Sequence, residues 1–176
     1  MASGERAKIP VGEPVYRDAQ HVIAVYQDTI LTYSGGAPNP EYLDGWARTV
    51  EQVAVGFPTG ILAVTIIDRD ARAPDDDGRA RIRKAVLRHA ESIRAFAYVV
   101  EGEGFGAAAV RSAVLLISLA ARYPFPQKVF GHVEDAVPWI LSCTTHQTGG
   151  RALDAAKLVE IARSLRGQLR GSAATG

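Results

Sequence analysis

Apolar and polar positions change period several times along this 176-residue chain, and each change predicts an element. Val15 to Arg17 is a short strand candidate. His21 to Ser34, H-V-I-A-V-Y-Q-D-T-I-L-T-Y-S, is β-branched and aromatic with a polar break at Gln27-Asp28, which predicts two paired strands. Gly35-Gly36 ends the run. Asn39 is then placed to cap a helix, with Pro40 at its first position and Glu41 in its first turn. Leu43, Trp46, Ala47, Val50, Val53 and Ala54 follow at helical spacing, a face that must be buried, before Gly56, Pro58 and Gly60 stop it.

Ile61 to Ile67 is nearly all apolar, as expected of a central strand covered on both faces, and Asp68 marks its polar end. Pro74 to Gly78, P-D-D-D-G, opens a helix whose apolar stripe is Ile82, Ala85, Val86, His89, Ala90 and Ile93. A strand from Phe96 to Val100 leads through a glycine loop into a helix from about Ala107 to Arg122, closed by Pro124 and Pro126. Lys128 to Phe130 is a short strand. Glu134 to Leu141 reads as a helix containing Pro138, which fits only in the first turn or with a kink. After Gly149-Gly150 comes an amphipathic helix, Ala152 to Leu169, with the stripe Leu158, Ile161, Ala162, Leu165 and Leu169.

This order predicts an α/β fold: a mostly parallel mixed sheet with flanking helices and one extra C-terminal helix. The chain divides into a flexible N-terminus (1–14), an α/β domain (15–145), the C-terminal helix (150–170) and a disordered tail (171–176). The C-terminal stripe needs a cover, either its own sheet or a second copy in a homodimer.

Composition narrows the function classes. Lys and Arg number 20 against 19 Asp and Glu, a net charge of +1, so no global field draws in nucleic acid or an anionic surface, and any basic site is local. Cys143 is the only cysteine, which excludes an intrachain disulfide and a C-x-x-C site and points to a reducing compartment. The N-terminal M-A-S-G-E-R-A-K-I-P has no signal-sequence core. The most apolar run, Ala113 to Ala121, falls short of the roughly 20 residues that span a bilayer and reads as a buried helix. A cytoplasmic protein without a membrane span is expected.

Three features could carry chemistry. The first is G-E-G-F-G at Gly102, Gly104 and Gly106, which follows a strand and opens a helix like a phosphate cradle. Its spacing is G-x-G-x-G rather than G-x-G-x-x-G, it comes late in the chain, and Glu101 and Glu103 would repel a pyrophosphate. A tight turn with close helix packing is the favoured reading, with a ligand pocket beside these glycines as the alternative. The second is Arg79, Arg81, Arg83, Lys84 and Arg88, favoured as a solvated helix face balanced by Asp75, Asp76 and Asp77 at the helix start. The third is His21, His89, His132 and His146, whose scatter offers no metal-ligand spacing, so neither a metal nor a cofactor is expected. No G-x-S-x-G occurs, and Ser112, Ser118 and Cys143 lie in apolar surroundings. Asp68, Glu101 and Glu103 at strand ends are the only plausible acid/base groups.

The element order, and the stretch from Val22 through H-V-E-D-A-V-P-W-I-L at His132 to Leu141, resembles the STAS family, the SpoIIAA-like fold of the bacterial anti-sigma-factor antagonists. The resemblance covers about Val15 to Ser142. In that family a loop after the central strand carries Asp-Ser-Ser-Gly, whose second serine is phosphorylated. Here Asp75-Asp76-Asp77-Gly78 resembles that stretch, with Asp77 in the acceptor's place and no Ser or Thr between Thr65 and Ser92. An aspartate carries one charge, against about −1.5 to −2 for a phosphoserine. The loop from Arg69 to Ala73 is a further departure. The resemblance implies a non-catalytic regulatory module that contacts a protein partner through Asp68, Asp75, Asp76, Asp77, Gly78 and Arg81, without a phosphorylation switch there. Because the SpoIIAA-like group is also similar to a lipid-carrying fold, it allows a second reading, small-ligand or lipid binding. An enzyme using the strand-end carboxylates is the third.

Overall fold

The computed structural model describes residues 12–143 and 153–173. Its six strands form one sheet in simple sequence order: β1 (Pro14–Arg17), β2 (His21–Tyr26), β3 (Thr29–Ser34), β4 (Ile61–Ile67), β5 (Ile93–Val100) and β6 (Gln127–Phe130). The first two pairings are antiparallel and the remaining three parallel. Five α-helices flank the sheet among the described residues: α1 (Pro40–Gly56), α2 (Asp76–Arg88), α3 (Gly104–Ala121), α4 (Val133–Ser142) and α5 (Ala155–Ala173). The fold is therefore α/β with a mixed, mostly parallel sheet.

Local chemistry sets most boundaries. Gln27, at φ 54°, and Asp28 form the two-residue turn between β2 and β3, where a right-handed strand pair favours a positive φ. Asn39 caps α1 by accepting the Tyr42 N–H at 2.7 Å, with Pro40 at the first helical position.

Each of the three parallel crossovers joins neighbouring strands, so α1, α2 and α3 all fall on one face. Alternation along each strand then splits the core. Ile23, Ile30, Ile61 and Phe96 pack under the three crossover helices. Val22, Leu31, Leu62, Val64 and Ala97 pack against α4 and α5.

Four expectations change. The stripe from Ile82 to Ile93 is not one helix: α2 ends at Arg88, a 3-10 turn spans Ala90–Ser92, and Ile93 starts β5. His89, Ala90 and Ile93 are buried all the same, so the period continued through an element it did not describe. The helix after β5 starts at Gly104, ahead of Ala107, entered through a φ of +84° at Gly104 that a glycine takes without strain. Of the two arrangements expected for Pro138, the first turn is excluded: it lies farther inside α4 and is exposed. The C-terminal helix starts at Ala155 and runs to Ala173, through the first residues of the expected tail. Residues 1–11 and 174–176 of the expected flexible ends, together with Gly149-Gly150, lie outside the described residues.

The C-terminal stripe finds its cover within the chain. Leu158, Ile161, Ala162 and Leu165 sit in the same core cluster as β2, β3 and α4.

Candidate functional site

Parallel strands β3, β4 and β5 end together at Ser34, Ile67 and Val100, and the segment after β4 crosses over that edge. Two concave features flank it, one on each face of the sheet.

On the crossover-helix face lies an apolar cavity of about 80 Å³. Its floor is Ser34, Thr65 and Tyr98, from three adjacent strands, and Thr65 pairs in register with Tyr98. Tyr42 and Trp46 of α1 form one wall, and Val110, Val114 and Ile117 of α3 the other. Ile82 and Val86 of α2 form the roof, with Arg72 and Pro74 from the loop before it. Burial holds the Tyr98 hydroxyl well above the ordinary tyrosine range, so it stays protonated and able to donate. Arg72 is exposed, which sets one cation beside an otherwise apolar space.

On the opposite face is a polar groove of about 260 Å³ lined by Tyr33, Glu101, His132, Glu134, Arg163 and Arg166. Tyr33 Oη donates to the Asp68 carboxylate in a short hydrogen bond and lies 3.4 Å from Glu101 Oε2. Arg166 from α5 reaches the same Glu101 oxygen at 3.4 Å. Burial, then the bond to Asp68 and the nearby carboxylate charges, drive the Tyr33 hydroxyl far up. A tyrosine held this way positions two carboxylates and is a poor acid near neutrality.

The sequence-predicted partner residues divide by what they do. Asp68 is buried, bonded by Tyr33, and accepts the Asp70 N–H at 2.9 Å, which shapes the loop. Asp75 caps α2 by accepting the Gly78 N–H at 2.7 Å. Gly78 is buried, and a Cβ there would stand 3.0 Å from Asp75 Oδ1. Asp76 is paired with Arg79. Asp76, Asp77 and Arg81 are exposed.

The glycine loop is elsewhere. None of Gly102, Gly104 and Gly106 lines the cavity. Gly102 has φ +86°, and a Cβ on it would meet Arg69 Cβ at 2.6 Å, so this turn passes too close to the loop after β4 for a side chain. Arg111 ties the turn down by donating to the carbonyls of Val100 at 3.0 Å and Gly102 at 2.8 Å. Glu103 stands at the cap position of α3 without a side-chain capping bond.

Sequence reasoning did not single out Arg72, Tyr42, Thr65 and Tyr98 at the cavity, or Tyr33 and Arg166 at the groove. Polar residues ending otherwise apolar strands were the available signal. Ser34 carries it at the end of β3, Thr65 sits two residues inside the end of β4, and Tyr33 hides as a β-former. Among the described residues no group of His, Cys, Asp and Glu is arranged to hold a metal ion.

No protein-family model matches the chain, and no curated protein matches it.

Proposed function

We propose that this chain is a non-catalytic, STAS-like binding module that takes a small amphiphile into the cavity and presents the roof of that cavity to a protein partner. One observation carries the reading: the segment from Arg72 to Val86 supplies the mouth and roof of the cavity, and it also carries the exposed Asp76, Asp77 and Arg81. An occupant that lifts or seats this segment changes the surface a partner meets. An engineered apolar cavity of about 150 Å³ holds benzene. A space of about 80 Å³ is roughly half of that and therefore accepts a short alkyl chain entered from one end. Arg72 at the mouth favours an acidic head group, and Ser34, Thr65 and Tyr98 offer hydroxyls to a polar atom carried inside. This reading seats the ligand farther along the helix that follows the glycine loop, at Val110, Val114 and Ile117, rather than beside Gly102 to Gly106.

The test is native mass spectrometry of freshly purified protein beside a Val114→Phe variant designed to fill the cavity. A reproducible added mass, released on denaturation and absent from the variant, is expected. An apo mass, with no melting shift in a panel of short-chain and aromatic carboxylic acids, would refute the ligand. For the partner, Asp76→Lys with Asp77→Lys is expected to abolish capture from native lysate while the melting curve is retained. Unchanged capture would remove that surface from the proposal.

A further inference from the structure

We propose that α3, with the C-terminal half of α2 beside it, is a docking face for an anionic lipid surface. Helix α3 is apolar on both sides. Its inner residues Ala107, Val110, Ala113, Val114 and Ile117 are buried under the fold. Outward, Phe105 is 92% exposed, Leu115 53%, Leu116 58% and Leu119 75%, and Leu87 of α2 adds 41%. By length and hydropathy this is the one helix among the described residues that could cross a membrane, but a helix with its inner stripe packed in a protein core can only lie in the interface. Single exposed leucines are ordinary; several along one helix, without a charge among them, form a patch. From Gly104 to Ala121 the only charged residue is Arg111, and its guanidinium is turned back onto the glycine-loop carbonyls.

Charge complementarity identifies the occupant. The groove between the two helices is lined by Asp76, Arg79, Ala80 and Arg83 from α2, and by Leu116, Ile117 and Ala120 from α3. Asp76 is paired with Arg79, which leaves Arg83 as the free-standing charge of that groove beside Leu116. Lys84 and Arg88 are exposed farther along α2, and Arg122 follows the end of α3. The strip is edged by cations toward the C-terminal ends of the two helices and by Glu103 at the Phe105 end, so its C-terminal part, Leu115 to Leu119, fits acyl chains beneath anionic head groups. A second copy fits less well, because a two-fold contact through α3 sets each copy's cationic α2 edge beside the same strip. The near-zero net charge does not oppose this, since the field near a membrane is felt only within a Debye length.

The test uses the full chain in co-sedimentation with vesicles of phosphatidylcholine alone and of phosphatidylcholine mixed with phosphatidylserine. Binding to the mixed vesicles only is expected, weakened by salt, and reduced roughly tenfold or more by Leu116→Glu with Leu119→Glu. Arg83→Glu is expected to weaken it separately. These side chains are solvent-facing, so melting curves should be retained. Failure to bind mixed vesicles, equal binding to neutral ones, or undiminished binding by the double variant would each overturn the proposal. So would a dimer in light scattering that the same variant converts to monomers, since the face would then be covered by a second copy.

Discussion

Deleting the C-terminal helix should unfold the domain rather than shorten it. Leu158 and Leu165 are fully buried and Ile161 is 3% exposed, all against the sheet face that also carries α4. Each such side chain contributes about 1.5–3 kcal/mol on burial, so the three together contribute about 5–9 kcal/mol. A whole domain of this kind is stable by only about 5–15 kcal/mol. A chain ending at Gly150 loses that contribution and exposes Val22, Leu31 and Tyr33 to water. Leu165→Ala is the graded version, expected to cost about 2–5 kcal/mol with the fold retained. Arg163→Ala is the control: its 2.7 Å pair with Glu134 joins two side chains that are 71% and 52% exposed, a kind of contact worth under about 1 kcal/mol. Urea unfolding followed by circular dichroism is the assay. The truncated chain should show no cooperative transition, Leu165→Ala a lower midpoint with the slope unchanged, and Arg163→Ala little change. A truncated chain that unfolds cooperatively near the full-length midpoint would refute the reasoning and make the helix an appendage.

Other consequences follow from the polar interior. Arg94 and Asp28 meet at 2.7 Å, only 12% and 6% exposed, so Asp28→Ala strands a buried guanidinium and should cost about 3–5 kcal/mol, read by urea unfolding; adding Arg94→Met should recover much of it. Burial pushes the Asp18 carboxyl up, but hydrogen bonds from the Gln20 N–H, Asn39, His21 and Tyr16 outweigh it and hold the group from 3.8 down to about 2. Its contribution, about 1 kcal/mol after allowance for solvent, is present above the unfolded value and lost as pH falls through the folded one, so Asp18→Asn should flatten the acid limb of a pH–stability curve. Burial likewise lowers His89, with Glu51 opposing and Arg88 assisting. Stability should therefore drop as pH falls below the unfolded histidine value, and His89→Gln should remove that part of the drop. Gly102→Ala should destabilise through both its φ of +86° and the Arg69 contact, which thermal melting would show.

Much of the fold was legible because its signals are local. The Asn39 cap, the Gln27-Asp28 turn and the apolar run of β4 each depend on a few neighbouring residues, and each sits where the pattern predicts. The end of α2 was not legible, since His89 and Ala90 are buried at helical spacing although the chain leaves the α-helix at Arg88 and passes into a 3-10 turn. The cavity was less legible still. Its floor joins Ser34, Thr65 and Tyr98, distant in sequence and brought together only by strand register. The acidic cluster at Asp75 to Asp77 drew attention as a contiguous run, yet Asp75 is spent on capping α2. What remains for recognition there is the solvent-facing pair Asp76 and Asp77 with Arg81.

The cavity itself has a cause in the sequence of its roof. Helix α2 reads D-D-G-R-A-R-I-R-K-A-V-L-R and buries only Gly78 and Val86, whereas α1 buries Tyr42, Gly45, Trp46, Thr49, Val50 and Val53. A helix with so few apolar side chains cannot fill the space above Thr65 and Tyr98, and Trp46 and Val114 reach in only from the sides. The same shortage leaves α2 held by little apolar burial, which places it among the first elements to open. Amide hydrogen exchange should therefore run faster in residues 79–88 than in α1 or β4. An occupant of the cavity gives Ile82 and Val86 the contacts their own helix does not supply, so a bound ligand should slow exchange in α2 while leaving β2 and β3 unchanged. Equal protection of α1 and α2 in the free protein would show that the roof is not loosely held, and the link between ligand and partner surface would lose its physical basis.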